Sequence, residues 1–138
     1  MEPTLSTLCT TPVTGILNVS AGAVGPATLI TSASFGAQTI AVVVGFLPNP
    51  ASLGDAYNAY AFLLVDPSTA KAVVNQLMVY LPTGEGTWAG TASIQTSTGT
   101  FPSNGLIMVF VSRSADGLLG PQVAAGTLVT ATCTTTTS

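Results

Sequence analysis

Two cysteines carry the clearest chemistry in this chain. Cys9 and Cys133 lie 124 positions apart (133 − 9 = 124), near opposite ends of the sequence. In an oxidising setting such a pair can form a disulfide. Three arrangements are open. Pairing within the chain would tie the termini together and remove unfolded-state entropy, roughly 4–5 kcal/mol in the loop-closure model. Pairing between chains would staple one subunit to the next. Unpaired, both thiols would pack as small hydrophobes. A zinc site is not expected from two cysteines in a chain with no histidine. Asn18-Val19-Ser20 is the one N-glycosylation sequon, relevant only where a chain crosses a glycosylating membrane.

The charged residues are few enough to name: Glu2, Asp55, Asp66, Lys71, Glu85, Arg113 and Asp116. They make up 5% of the chain, where about a quarter is ordinary for a globular protein. The acids are scattered through expected turns, so neither a paired acid/base site nor a calcium-binding cluster is indicated. Serine nucleophile chemistry lacks its histidine, and no Gly-x-Ser-x-Gly elbow is present. Gly84-Glu85-Gly86 has no following lysine to make a phosphate loop. The expectation is a protein that is not an enzyme, with no catalytic residue, cofactor, metal or small-molecule substrate. Two cationic side chains cannot neutralise a phosphate backbone, so nucleic acid is not an expected partner. The longest apolar stretches, Ile40–Leu47 and Leu106–Val111, fall far short of the roughly 20 residues of a spanning helix. Membrane insertion is therefore not expected. Met1–Ser20 also lacks the basic and continuous apolar regions of a signal peptide.

The elements that must position these residues read as strands. A chain of 138 residues is one domain by length. Short β-rich runs span Val13–Val19, Thr28–Phe35, Thr39–Leu47, Tyr57–Val65, Val73–Leu81, Trp88–Thr96, Leu106–Arg113 and Thr127–Cys133. Glycine, proline, asparagine and serine clusters separate them. The pattern predicts an all-β fold: a single jelly-roll or β-sandwich domain of about eight strands, with an extended N-terminal arm. The expected division is an arm over 1–20, the sandwich over 21–133 and a polar tail over 134–138. Asp66-Pro67 could cap a helix, but Val73, Val74, Val79 and Tyr80 favour a turn between strands.

Two runs, Ile40–Val44 and Leu106–Val111, are apolar without alternation. A strand of that kind is covered on both faces. The outer cover would be either a loop of the same chain or a neighbouring subunit. The polar remainder of the sequence is mostly hydroxyl and amide, which can pack against a neighbour without desolvating ions. Most aromatic residues fall inside strand runs and are expected in the core. Tyr57-Asn58 and Trp88 are the candidates for a carbohydrate-binding platform.

The Cys-bearing N-terminal segment, the low-charge Thr/Gly/Ala-rich β-domain and the C-terminal strand ending in cysteine resemble, taken together, self-assembling filament subunits. These include archaeal pilins and the jelly-roll subunits of bacterial spore appendages. The resemblance implies that Met1–Ser20 is donated to the next subunit, with Leu5, Leu8, Val13, Leu17 and Val19 as the inserted side chains. It also implies that Cys9 and Cys133 cross-link subunits. Strand donation satisfies an open sheet edge by β-augmentation. The function expected on this basis is a structural subunit of an extracellular filament on a cell or spore surface, a homopolymer of identical chains. The alternatives are a virion structural protein, either a surface fibre or a capsid jelly roll, and a cell-surface carbohydrate-binding module.

Overall fold

The computed structural model describes residues 5–16, 22–32 and 35–137. The chain is all-β, with ten strands: β1 Leu5–Gly15, β2 Val24–Ser32, β3 Ala37–Val44, β4 Ala59–Asp66, β5 Lys71–Leu77, β6 Val79–Leu81, β7 Thr87–Gln95, β8 Leu106–Arg113, β9 Leu118–Thr127 and β10 Thr132–Thr137. All pairings between strands are antiparallel. They form one sheet in the order β5-β4-β8-β9-β1-β2-β3-β7-β6, and β10 pairs with β1 beside that path.

The sheet folds over on itself into a nearly closed sandwich. Alternation decides which side chains go inside. On β3, Gln38, Ile40, Val42 and Val44 are buried while their neighbours are only partly covered. On the opposing half, Tyr60, Phe62, Leu64, Ile107, Val109 and Val111 are wholly buried. These side chains make one continuous core with Val13, Leu29 and Val123. The two ends of the sheet meet where Met78, between β5 and β6, donates its N–H to the Tyr60 carbonyl at 2.8 Å. Gly90 lets β7 approach closely there: a Cβ on it would lie 2.9 Å from the Phe62 ring.

The N-terminal segment is extended, as expected, but it is extended inside the sheet. β1 pairs with β2 along one edge, from Ser6 to Thr14. Its other edge is shared by β10, over Leu5–Thr10, and by β9, at Thr14 and Gly15. Thr11 is buried there, donating to the Thr127 carbonyl at 2.8 Å with its hydroxyl 2.9 Å from that of Thr130. The place that a donated strand would fill is filled by the chain's own residues. Of the expected donor side chains, Val13 is buried in the core and Leu8 points outward at 44% exposure. Leu5 is placed by its backbone in β1. Leu17, Val19 and the sequon residue Asn18 lie outside the described residues.

Other expectations are corrected in detail. The run Val73–Leu81 is two strands broken at Met78, not one. β9 lies where Gly117 to Pro121 read as a loop, and β10 runs through the expected polar tail as far as Thr137. Asp66-Pro67 begins a turn: the Asp66 carboxylate accepts from the Ser68 N–H at 2.9 Å and from the Ser68 hydroxyl at 2.7 Å. That is an Asx-turn, which offers the backbone an alternative to a helix.

Candidate interaction surfaces

The disulfide is within the chain. Cys9 and Cys133 are directly opposite in the β1–β10 ladder, with their sulfurs bonded at 2.05 Å and their Cα atoms 4.0 Å apart. Of the three arrangements open from sequence, the geometry thus selects the one that ties the ends of the chain together. Cys9 packs against the core.

Among the described residues, charge is confined to the turns and strand ends. Asp66 is the last residue of β4, Lys71 the first of β5 and Arg113 the last of β8; Asp55, Glu85 and Asp116 lie between strands. Arg113 and Asp116 form a bidentate pair across the β8–β9 turn, with Nε to Oδ1 at 2.9 Å and Nη2 to Oδ2 at 2.5 Å. The hydrogen bond from Arg113, helped by the Leu118 N–H, holds the Asp116 carboxyl down at about 2. Asp116 in turn raises Arg113 above its ordinary value. Both side chains are solvent-exposed, so the pair organises the turn more than it stabilises the fold. Among the described residues, no three histidine, cysteine, aspartate or glutamate side chains gather as metal ligands.

The strand faces are therefore uncharged. On the outside of β4 and β8, Leu63 stands opposite Met108 and Ala61 opposite Phe110, with Leu77 of β5 beside Ala61. Leu63, Met108 and Phe110 remain partly exposed and Leu77 is 41% exposed. Ala61, between Leu77 and Phe110 on this side, is itself buried, so the open part of the face lies around Leu63 and Met108. This is the outer side of the continuous apolar run Leu106–Val111. The outside of β1, β2, β3 and β7 is mixed, with Leu8 opposite Ile30, Ile30 opposite Thr39, and Thr10 opposite Thr28. The Thr39 and Ser93 hydroxyls bridge β3 to β7 at 2.8 Å.

One concave site stands apart from these faces. A groove of about 520 Å³ is lined by Leu47, Pro48, Asn49, Asn58, Tyr80 and Trp88, among others. The β6–β7 ladder puts Tyr80 opposite Trp88, and the two ring centroids are 5.4 Å apart with planes inclined at 53°. From below, the buried Tyr60 ring meets Trp88 edge-on at 5.2 Å. Tyr60 is anchored by its hydroxyl, which donates to the Pro48 carbonyl at 2.5 Å. Burial pushes that phenol up to about 12. The rim is held by the 85–86 turn, where Phe46 N–H donates to the Glu85 carbonyl at 2.8 Å and Leu47 N–H to that of Gly86 at 2.9 Å. Gly86, at φ 57, lies so close beneath Leu47 that a Cβ would be 2.3 Å from the Leu47 carbonyl oxygen.

Asn58 and Trp88, singled out from sequence, do line one groove. Tyr57 does not: its ring packs against Gly54 and Gly120 at the edge of the core. Tyr80, not singled out from sequence, lines the groove instead. It is set beside Trp88 by strand pairing, which sequence proximity does not show.

No helix among the described residues is long and apolar enough to cross a membrane. Comparison with curated proteins gives no match, and comparison with solved structures gives none. A family model described as SPbeta prophage-derived uncharacterized protein YoqH matches residues 5–132, and the chain belongs to that family.

Proposed function

We propose that the chain is a phage-derived structural protein of the virion exterior, packing against copies of itself through uncharged sheet faces. The observation that carries this reading is the placement of charge. Each described charged residue sits in a turn or at a strand terminus, and the outward side of β4 and β8 presents Leu63, Met108 and Phe110. Faces of this kind lose little by desolvation when a neighbour covers them. An exposed apolar patch on a sheet is the usual mark of an interaction site. The intrachain disulfide and the prophage-derived family support a location outside the reducing cytoplasm, at the virion surface or in the extracellular medium. A structural role, with no catalysis, belongs to the same proposal.

A filament built by strand donation is the second reading. It rests on the resemblance of the sequence to filament subunits, and it requires β1, paired here on both edges within its own chain, to be traded between copies. Exchange of that one strand between copies would link neighbours without new pairing rules. Electron microscopy and sedimentation of the purified, oxidised chain test both readings. Closed rings, trimers or shells are the expected result. Long open filaments would favour strand donation. A protein that stays monomeric at high concentration would defeat self-assembly in either form.

A further inference from the structure

We propose that the groove between Tyr80, Trp88, Asn49 and Asn58 is a binding site for a neutral saccharide. The aromatic part is pre-organised. Trp88 is backed edge-on by Tyr60, whose hydroxyl is fixed on the Pro48 carbonyl, so the indole is held before any ligand arrives. Tyr80 is half-exposed and inclined to it, which makes two walls of a shallow V. A hexose ring offers apolar C–H faces that pack on aromatic rings, and hydroxyls around its rim that need donors and acceptors.

The amides supply the second need. Asn58 is locked by two hydrogen bonds to Ser114, its Nδ2 donating to the hydroxyl and its Oδ1 accepting from the backbone N–H, both at 2.9 Å. One amide proton and one lone pair remain for a ligand. Asn49 Oδ1 accepts from the Ala51 N–H at 3.1 Å, and its Nδ2 is unengaged among the described residues. Among the described residues no charged side chain lines the groove, which favours a neutral ligand over phosphates, sialic acids or basic peptides. Next to the lining residue Leu47, Phe46 is held at φ 61 with 60% of its surface exposed. A bulky residue in that backbone region is strained, and such strain collects at binding sites.

The site contains the only tryptophan in the chain, so its fluorescence reports on the groove directly. The test titrates the oxidised full-length protein with hexamers of β-1,4-glucose, α-1,4-glucose and β-1,4-N-acetylglucosamine. A proline-rich decapeptide is the competing probe. The expected result is a saturable change in tryptophan emission with at least one saccharide and none with the peptide. Tyr80→Ala should weaken that binding roughly tenfold. Ile30→Ala, on the outside of β2, should leave it unchanged. Absence of saturation with all three saccharides would overturn the proposal, as would saturation by the peptide alone or undiminished binding by Tyr80→Ala. The assembly state is read separately, so this proposal and the structural role stand or fall independently.

Discussion

Cys9 and Cys133 face each other across the β1–β10 ladder with Cα atoms 4.0 Å apart, and their bond ties together two ends of the chain separated by 124 positions. Both strands are also held by backbone pairing, so reduction leaves the native ladder possible while releasing the unfolded chain. The expected cost of reduction, or of Cys133→Ser, is roughly 4–5 kcal/mol in the loop-closure model. Denaturant unfolding of oxidised and reduced protein measures it. A non-reducing gel should show a monomer band, and a reducible ladder would instead place the bond between chains.

Gly25 marks the tightest approach of two backbones. A Cβ there would sit 1.7 Å from the Val43 carbonyl oxygen, which cannot swing away as a side-chain tip would. Gly25→Ala is expected to cost about 3 kcal/mol or more, because β2 and β3 must part locally. Gly22 has nothing within 4 Å, so Gly22→Ala is the matched control with a near-neutral effect. Similar midpoints for the two variants in thermal unfolding would contradict the packing of β2 on β3.

Much of the architecture is legible from residue type, and the failures have physical causes. The cores of β3 and β8 follow from β-branched apolar runs, and that of β4 from an apolar, aromatic run, each bounded by turn residues. β1 and the start of β2 do not: Pro12 and Pro26 lack the N–H that a ladder needs, yet they stand directly opposite each other in it. β9 is masked by Gly120 and Pro121, which sit where the β8–β9 register shifts and proline is tolerated. The threonines of β10 suit a strand but look like a tail until β1 pairs with them. The groove was half visible. Asn58 and Trp88 stand out by type, whereas Tyr80 joins them only through the register of β6 on β7.

Tyr60 predicts an alkaline limit to stability. Burial raises its folded-state value from 10.0 to about 12, so the folded protein holds the phenolic proton more tightly than the unfolded chain. The resulting stability is present in full below pH 10 and is lost as pH rises towards 12. Tyr60→Phe should be less stable at neutral pH, since the Pro48 carbonyl loses its donor. It should also show a flatter decline between those two pH values. Urea midpoints across the alkaline range provide the check, and parallel curves for the two proteins would rule out Tyr60 as the titrating group.

Ser112 is wholly buried, and its hydroxyl oxygen has no hydrogen-bond partner among the described residues. A buried, unsatisfied hydroxyl is a net cost relative to a methyl group of similar size. Ser112→Ala should therefore raise stability by about 1 kcal/mol. A loss of comparable size in denaturant unfolding would mean the hydroxyl is engaged in solution.

Leu63 and Met108 are opposite one another on the outside of β4 and β8, each partly exposed, and each can accept a polar replacement without touching the core behind it. If this face meets another copy, a charge placed on it would have to be desolvated at every contact, at a cost of several kcal/mol per unpaired ion. Met108→Glu and the double variant Leu63→Glu/Met108→Glu are expected to fold with near-native circular dichroism. They should sediment as monomers under conditions where the parent assembles. The like charges of the double variant also repel across the strand pair, so it should be the less stable of the two. Assembly that survives both variants would move the contact away from this face. The remaining exteriors would then be those of β1, β2, β3 and β7, where Leu8 and Ile30 pair, and Ile30→Glu is the corresponding probe.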